Sequence, residues 1–584
     1  MSHMVQPNLS TFDVIIIGAG INGAGIARDA AMRGLSVLLL DKGDIGGGTS
    51  SSSTRLIHGG LRYLEHREFG LVRESLRERE CLLRIAPHLV RPLPLLIPVY
   101  ETANRGLWTM RAGMFAYDVL SFDKKLPRHR MLSRAETLEQ VPGLKPDGLL
   151  GAAVYYDAQV EFAERLVLEN ALSAVEHGAT VISYAHVDKL IIEDQRVRGV
   201  EFTKFPGAPD DPGEQHHSAR ARVVINAAGP WVDRVLGPVQ VFHQGARSSQ
   251  RLIGGSRLIG GTKGSHIIVG PFAGAPASAL YVEAETDHRP FFIIPWNSHY
   301  LIGTTDSRYS GDLDNVRIED KEIDYLLGET NRVIPDADLT RKEILYTYSG
   351  VRPLPFFGGD VRNKDEPSIT RRHFIRRHPL RDNLFSIVGG KLTSYRSLAE
   401  EAVNIIFKKL GRNSPACTTD WVPLPGAATP EFEAFCKDFK QHCGLSELTS
   451  DHLLRNYGTR SPEVLKLIAD DPLLKKVFDA ETGAIAAEVV FAFSHELAQT
   501  LSDCLLRRTM VGLNSTCGLK AVAAAGRIVQ KHLGWSKDRV SRETAAYKNE
   551  ISRRLARGSA RLVRSAIGAL ARPSGRVSGP SSPP

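Results

Sequence analysis

Cysteine is scarce in this sequence. The six cysteines among 584 residues are Cys81, Cys417, Cys436, Cys443, Cys504 and Cys517. None of them belongs to a CxxC pair or shows the spacing of a metal-ligand set. The pattern disfavours a disulfide-stabilised secreted domain and a cysteine-bound metal site. We therefore expect a reduced protein on the cytosolic side, with no bound metal.

Long apolar runs are also missing. No stretch approaches the ~18–20 residues that a bilayer-spanning helix needs. We expect no signal peptide, because the first apolar run, residues 14–17, leads directly into a glycine-rich turn. The 42% hydrophobic and 24% charged residues are typical of a soluble globular protein, and the length predicts two or three domains.

Net positive charge is scarce outside the C-terminal end. The net charge is +9, but residues 551–584 carry seven arginines and no acid, so the other 550 residues net only +2. A helix over 553–572 would separate two sets of side chains. One side would carry Leu555, Leu562, Val563, Ile567 and Leu570, and the other Arg553, Arg557, Arg561 and Arg564. The pattern fits a helix on an anionic membrane surface and equally a solvated tail.

A glycine-rich unit opens the chain. The strand Val14–Ile17 runs into Gly18-x-Gly20-x-x-Gly23, and a helix, a second strand (Val37–Leu40) and Asp41 follow. The helix N-terminus offers N–H groups to a pyrophosphate, and Asp41 can accept hydrogen bonds from ribose hydroxyls. The unit predicts binding of an ADP-containing dinucleotide, NAD or FAD. The alternative is an ordinary βαβ unit with a glycine-rich turn.

Seven motifs follow in a fixed order. They are TSSSSTRLIHGGLRYLE (49–65), VVINAAGPWV (223–232), KGSHIIV (263–269), IIPW (293–296), LIGTTD (301–306), YSGVRPL (348–354) and GGKLTSYR (389–396). Together they resemble the FAD-dependent glycerol-3-phosphate dehydrogenases, flavoproteins that pass electrons to quinone. The resemblance is dense over residues 12–410 and looser beyond. It implies FAD as the dinucleotide.

The resemblance also implies an α/β fold with an α+β substrate domain. We expect a Rossmann-type FAD-binding domain of the D-amino-acid-oxidase type, an antiparallel substrate sheet and a C-terminal α-helical domain. The expected boundaries are 12–90, 155–235 and 376–412 for the FAD-binding domain, 91–154 for a mixed cap segment, 236–375 for the substrate domain, 425–550 for the helical domain and 551–584 for the basic tail.

The implied reaction oxidises the C2 hydroxyl of sn-glycerol 3-phosphate to the ketone of dihydroxyacetone phosphate, with hydride passing to flavin N5. A phosphate dianion favours arginine, which binds two oxygens at once. Arg62, Arg352 and Arg371 fall in motif segments used around the substrate. Arg372, Arg376 and Arg377 crowd Arg371 and are alternative anion contacts.

Oxidation of an alcohol also needs a base for the hydroxyl proton. His266 matches the substrate-side histidine of the family, although it could serve only as a hydrogen-bonding group. His58 is the rival, in a turn expected to contact the cofactor. Lys391 could stabilise negative charge on flavin or substrate. Tyr63 and Thr393 complete the predicted substrate site, and Tyr63 could equally be a core residue.

The predicted flavin contacts extend beyond the first unit. The full set is Gly18, Gly20, Asn22, Gly23, Asp41, Thr49, Ser50, Ser53, Leu56, His58, Gly229, Asp306, Gly390, Leu392 and Thr393. Two features depart from the family pattern. Asp41 stands where glutamate is more common, and the repeat RLIGG (251–255 and 257–261) lengthens the loop before His266.

Several alternatives stay open. An oxidase would use O₂ as electron acceptor, and the substrate could be a related polyol phosphate such as a tetritol phosphate. A flavin-binding protein that contacts a nucleic acid or a membrane through its basic tail is a third hypothesis. We expect quinone and a peripheral membrane surface as partners, no nucleic acid, and a cytoplasmic location or one at the cytoplasmic face of the inner membrane. A homodimer is also compatible with the sequence.

Overall fold

Residues 11–65, 67–205, 213–237, 257–356 and 372–555 are described by the structure, a computed structural model. The strands are β1 Phe12–Ile17, β2 Val37–Leu40, β3 Leu56–Ile57, β4 Val90–Tyr100, β5 Arg130–Ser133, β6 Leu149–Val160, β7 Thr180–Ile182, β8 Ala185–Glu193, β9 Arg196–Lys204, β10 Gln215–Asn226, β11 Thr262–Val269, β12 Ala279–Glu283, β13 Pro290–Trp296, β14 His299–Gly303, β15 Ser307–Arg308, β16 Ile344–Arg352, β17 Phe374–His378, β18 Arg381–Val388, β19 Val477–Asp479 and β20 Ala484–Ile485.

The helices alternate with these strands in the first four hundred residues and dominate thereafter. They are α1 Ile21–Met32, α2 Arg62–Glu65, α3 Phe69–Ile85, α4 Leu107–Leu120, α5 Arg134–Gln140, α6 Ala163–Glu176, α7 Val232–Leu236, α8 Asp320–Val333, α9 Tyr395–Leu410, α10 Phe432–His442, α11 Glu447–Tyr457, α12 Ser461–Asp470, α13 Ala486–His495, α14 Leu501–Asp503, α15 Val522–Leu533 and α16 Lys537–Ser552.

An eight-stranded sheet carries the first glycine-rich turn. Its order is β17-β18-β10-β1-β2-β7, with β8 and β9 continuing from β10. The strands β7, β2, β1, β10 and β18 run parallel, so their carboxyl ends meet at one edge. Parallel strands buried on both faces need continuous apolar runs, which the sequence of β1 supplies. α1, α6 and α9 cover one face of this sheet. The shared edge is where an open α/β sheet binds its ligand.

A ten-stranded, mainly antiparallel sheet faces that edge. Within this sheet, β11 pairs with β14, β15 and β16. The order continues through β13 and β12 to β4, β6 and β3. The segment 91–154, predicted as a separate mixed cap, thus supplies most of β4 and part of β6 to the sheet predicted for 236–375. Alternation along one strand does not identify its partner, which explains the difference.

Helices α10 to α16 form the C-terminal part of the described chain. Their apolar faces pack on one another and, through Tyr547 and Val529, on the ten-stranded sheet at Tyr346. No helix among the described residues is both long enough and apolar enough to cross a membrane.

Candidate active site

A cavity of about 960 Å³ lies along the shared strand edge. It is lined by the turn after β1, the hydroxyl-rich loop 49–56, the turn after β18 and the inner ends of β11 and β16. A volume of this size is at the upper end of the range for small-molecule and cofactor sites. The cavity therefore brings together segments that lie more than 500 residues apart in the sequence, from Ile17 to Glu550.

The turn after β1 is shaped for a close backbone approach. Gly18 and Gly20 line the cavity, and Gly20 is the N-cap of α1. Gly23 does not line the cavity. A Cβ atom at Gly23 would lie 1.8 Å from the Gly18 carbonyl oxygen, so glycine lets the helix pack against the turn. Gly23 thus serves helix packing, while Gly18 and Gly20 face the ligand space.

Asp41 closes β2 at the same edge. Its Oδ2 accepts a hydrogen bond of 2.6 Å from the Ala19 N–H, and Oδ1 accepts one of 2.8 Å from the Gly43 N–H. Burial raises the pKa of Asp41 to about 6, against the lowering effect of these two donors. At neutral pH the side chain is a carboxylate, an acceptor suited to ribose hydroxyls.

The hydroxyl-rich loop lies across the N-terminus of α1. Ser50 Oγ accepts a hydrogen bond of 3.1 Å from the Ile21 N–H, and Thr49 Oγ1 donates one of 2.9 Å to the Val351 carbonyl. Ser53 and Leu56 line the cavity further along the loop. These bonds connect the nucleotide-binding turn to β16 of the other sheet.

The turn after β18 meets the first turn of α1. Asn22 Nδ2 donates a hydrogen bond of 3.4 Å to the Gly389 carbonyl. Gly390 has φ +99°, and a Cβ atom there would lie 2.7 Å from Asn22 Nδ2. Asn22 Oδ1 is buried and has no hydrogen-bond partner among the described residues. A bound polar ring edge would supply that partner, so the residues present fit a flavin dinucleotide.

The remaining flavin-side predictions occupy the same region. His58, Gly229, Leu392 and Thr393 line the cavity. The His58 N–H donates a hydrogen bond of 3.2 Å to Thr393 Oγ1, which connects the HGG turn to the start of α9. Asp306 is not among the lining residues, and its carboxylate contacts Arg352.

His266 lies on β11 in the wall of the cavity. It is only 1% exposed, and its Nε2 is 3.0 Å from Thr54 Oγ1. Its ring is tilted by 32° against that of Tyr348, with 4.8 Å between the centroids. Burial, and then the charges of Arg352 and Arg55, hold the pKa of His266 well below its usual value of 6.5. The imidazole is therefore neutral at neutral pH and able to accept a proton.

Arg352 ends β16 beside His266. Its Nη1 donates a hydrogen bond of 3.0 Å to Asp306 Oδ1, and Nη2 donates one of 3.1 Å to Thr304 Oγ1. The guanidinium lies against Gly264, where a Cβ atom would come within 2.4 Å of Nη2. The side chain is 24% exposed and lines the cavity. A fixed, accessible guanidinium can bind an anionic group.

Lys391 and Tyr63 form a second cationic part of the wall. Lys391 Nζ lies 3.8 Å from the centre of the Tyr63 ring and donates a hydrogen bond of 3.3 Å to Ser75 Oγ. Both residues line the cavity. Arg62 is the first residue of α2, directly before Tyr63. The pair places a positive charge on the cavity wall.

The sequence interpretation missed several residues of the site. Thr54 contacts His266, and Asp44 and the buried Arg55 line the cavity. Arg55 forms two hydrogen bonds of 2.7 Å with the carboxylate of Glu164, 109 residues later. A basic residue in a hydroxyl-rich loop is normally interpreted as a surface charge. The buried pair could not be predicted, because Arg55 and Glu164 are 109 positions apart in the sequence.

Some predicted contacts lie elsewhere. Arg371, the first RLIGG copy and the tail beyond residue 555 are outside the described residues. Arg372, Arg376 and Arg377, the alternative anion contacts, are exposed at or near β17 and do not line the cavity. Of the predicted anion contacts, Arg352 lines the cavity.

Comparisons with known proteins agree with this arrangement. Residues 13–393 match the family model described as FAD dependent oxidoreductase, and residues 417–540 match the one described as C-terminal domain of alpha-glycerophosphate oxidase. Glycerol-3-phosphate dehydrogenase of Synechocystis sp. is 48% identical to this chain, over 94% of this chain and 97% of that protein. D-erythritol 1-phosphate dehydrogenase of Brucella abortus is 38% identical, over 88% of this chain and 96% of that protein.

A solved structure gives the same result. The glycerol-3-phosphate dehydrogenase from Bacillus halodurans complexed with FAD has a TM-score of 0.73 and 26% identity, covering 94% of this chain and 95% of that chain. The predicted fold class, with its FAD-binding domain and C-terminal helical domain, is confirmed. FAD is confirmed as the cofactor.

Proposed function

The chain belongs to the family of FAD-dependent glycerol-3-phosphate dehydrogenases, and from that premise we propose that it oxidises sn-glycerol 3-phosphate to dihydroxyacetone phosphate, with quinone as the final electron acceptor. One observation carries the proposal. A neutral, buried His266 lies beside the partly exposed Arg352 in the wall of a cavity that is also lined by Gly18, Gly20 and Asp41 of the glycine-rich unit.

FAD, when bound, supplies the acceptor for the hydride that leaves C2. Gly18, Gly20 and Asp41 would hold its adenosine and pyrophosphate part, and Asn22 with Gly390 its ring. The buried Asn22 Oδ1 and the absence of a side chain at Gly390 support this assignment.

We assign proton removal to His266. The hydroxyl proton of C2 would move to Nε2, the ring nitrogen that already contacts the Thr54 hydroxyl. Burial and the neighbouring arginines keep the imidazole neutral, which a base requires. The same arginines oppose a lasting positive charge on the ring, so the proton should leave quickly to solvent or to a neighbouring oxygen.

We assign phosphate binding to Arg352. Asp306 and Thr304 fix its guanidinium, so less side-chain freedom is lost when an anion binds. We propose that Arg62 and Lys391 also bind the phosphate. Arg62 is the first residue of α2, next to Tyr63, and Lys391 lies over the Tyr63 ring. Arg371 stays a prediction.

An anaerobic absorbance experiment tests the reaction. The purified protein should show the flavin bands near their usual wavelengths, and these should bleach when sn-glycerol 3-phosphate is added. Glycerol, which lacks the phosphate, is the matched control and should leave the spectrum unchanged. A spectrum that does not bleach with glycerol 3-phosphate, in protein that dithionite does reduce, would contradict the proposal.

A tetritol phosphate is the second substrate to compare, because the relative from Brucella abortus is named for D-erythritol 1-phosphate. Bleaching rates with the two phosphates at equal concentration separate them. We expect the three-carbon substrate to react faster. A faster reaction with the tetritol phosphate would reassign the substrate and leave the roles of His266 and Arg352 unchanged.

The electron acceptor is tested separately. The C-terminal match to a model named for alpha-glycerophosphate oxidase makes O₂ the alternative. A dehydrogenase should reduce a quinone analogue rapidly and form little peroxide. Peroxide formed in equal amount to the oxidised substrate, in air and without quinone, would identify an oxidase instead.

We further propose that the basic tail, residues 551–584, brings the enzyme to the membrane that holds its quinone. The proposal rests on the seven arginines without an acidic residue. Co-sedimentation with anionic vesicles should fall when residues 556–584, which follow the core contacts of Ile551 and Arg554, are deleted, while bleaching by substrate in solution stays the same. Unchanged vesicle binding would show that the tail does not carry the contact.

A further inference from the structure

The C-terminal helices contribute directly to the wall of the FAD cavity. Arg507 and Glu550 line it at the end that holds Asp41, together with Asp44 and Tyr184. Arg507 belongs to a π-helical turn, Cys504–Arg508, which follows α14. Turns of this kind occur often at functional sites. No sequence motif of the nucleotide-binding unit points to this part of the chain.

Asp44 is held by two arginines of that turn. Arg508 donates two hydrogen bonds, of 2.8 and 2.9 Å, to its two carboxylate oxygens, and Arg507 Nε donates one of 2.5 Å to Oδ2. Asp44 and Arg508 are 5% and 0% exposed. Burial alone would raise the pKa of Asp44, but the charges of Arg508 and Arg507 outweigh it and the pKa is lowered. The three groups are a charged, buried cluster.

Asp503 extends the cluster back to the FAD-binding domain. It accepts a hydrogen bond of 2.9 Å from Arg507 Nη2 and one of 2.6 Å from the Tyr184 hydroxyl. Tyr184 in turn donates its backbone N–H to the Gly43 carbonyl at 3.0 Å. The loop 41–44 is thus attached to the helical domain on both sides, by Asp44 directly and by Tyr184 through Asp503.

This loop carries the predicted ribose contact. Asp41 stands three residues before Asp44, and Asp41 depends on the Gly43 N–H for one of its two hydrogen bonds. A shift of the loop would therefore move the Asp41 carboxylate, which is predicted to accept hydrogen bonds from the ribose hydroxyls. Since long side chains from another domain fix the loop, the position of Asp41 depends on how that domain is docked.

We propose that the C-terminal helical domain completes the adenosine end of the FAD site, and that Arg507 is a positioning residue for FAD through Asp44 and Asp503. The coupling is reciprocal, because any interaction by which the docked domain favours FAD makes bound FAD favour docking. The inference needs FAD as the cofactor but does not depend on the substrate or on the final electron acceptor.

The variant Arg507→Met removes the contacts with Asp44 and Asp503. Arg460→Met is the matched control, since Arg460 is also buried in the helical domain and pairs with a buried carboxylate, Glu496, at 2.8 Å, without lining the cavity. Two quantities are measured for each apoprotein: the unfolding temperature and the dissociation constant of FAD, from flavin fluorescence. We expect both variants to lower the unfolding temperature, and Arg507→Met alone to raise the dissociation constant, by about tenfold or more.

Equal FAD dissociation constants for the two variants would overturn the proposal, because Arg507 would then be a structural residue like Arg460. A measurement on the unchanged protein covers the case in which Arg507→Met does not fold. FAD should slow amide hydrogen exchange in Leu501–Arg508 by about tenfold relative to the apoprotein. Exchange that FAD leaves unchanged in this segment would also overturn it.

Discussion

The surroundings of His266 determine the protonation state of its imidazole. Its ring lies between Tyr348 and the backbone of β14, and Arg352 and Arg55 add positive charge nearby. All of these disfavour the imidazolium, by burial first and by charge repulsion second. The side chain is therefore neutral at rest, as the proposed role of base requires.

The pH dependence of kcat/KM should report this environment. A base must be neutral to work, so kcat/KM should fall as pH falls through the pKa of His266 in the enzyme without substrate. Because that pKa is lowered, the decrease should begin below pH 6.5. The measurement is kcat/KM for glycerol 3-phosphate with a soluble dye between pH 5 and 9. A decrease centred at or above 6.5 would be inconsistent with a buried, arginine-flanked base.

Arg352 should be sensitive even to a conservative change. Arg352→Lys keeps a positive charge but loses the planar fork that Asp306 and Thr304 orient. Loss of a charge-assisted hydrogen bond of about 1.5–3 kcal/mol corresponds to a decrease in kcat/KM of roughly 10- to 100-fold. FAD content should not change. Arg376→Gln, at an exposed arginine of β17, is the control and should match the parent enzyme. An Arg352→Lys enzyme with unchanged kcat/KM would remove Arg352 from the phosphate site.

Two strand–glycine–helix connections define the cofactor end of the site. The first joins β1 to α1, and the second joins β18 to α9. Asn22, from the first turn of α1, lies against the second connection at Gly389 and Gly390. Each turn thus restricts the other, and a bulkier residue in either one would have to displace both.

The substitution Gly390→Ala tests this restriction. Gly390 has φ +99°, and an added Cβ would meet Asn22 Nδ2 at 2.7 Å. Gly34→Ala is the matched control, with φ +81° and no atom within 4 Å of the added Cβ. Both changes strain the backbone by about 1 kcal/mol, but only Gly390→Ala should raise the FAD dissociation constant, by about tenfold. Equal constants for the two variants would show that Asn22 can move aside.

What could be predicted from the sequence was local. The turn after β1, the hydroxyl loop and the Gly389-Gly390 turn are contiguous signals, and the residues predicted in them line one cavity, with Gly23 packed behind the turn. Long-range pairing was not predictable. The joining of β4 and β6 to β11's sheet, the pairing of Arg55 with Glu164, and the contact of Arg508 with Asp44 each depend on residues tens to hundreds of positions apart. Such contacts leave no period or spacing in the chain.

At the scale of the whole molecule, the helical domain and the ten-stranded sheet share one apolar core. Tyr346 of β16 is buried with Val529 and Tyr547 of the C-terminal helices. Its hydroxyl donates a hydrogen bond of 2.9 Å to the Leu513 carbonyl, and the Thr347 N–H donates one of 2.8 Å to the Arg554 carbonyl. Separating the two parts would expose this core on both sides, so neither should unfold alone.

Calorimetric unfolding should therefore show one transition for the described body of the protein, with calorimetric and van't Hoff enthalpies in agreement. FAD at about 100 times its dissociation constant should stabilise that single transition by about 2.7 kcal/mol. A chain that ends at residue 555 keeps the shared core and is expected to unfold as the full chain does, whereas one that ends at residue 412 should aggregate because Tyr346 and its neighbours are uncovered. Two resolved transitions, of which FAD moves only one, would mean that the sheet and the helical domain are independent units and that the cofactor is bound by one of them alone.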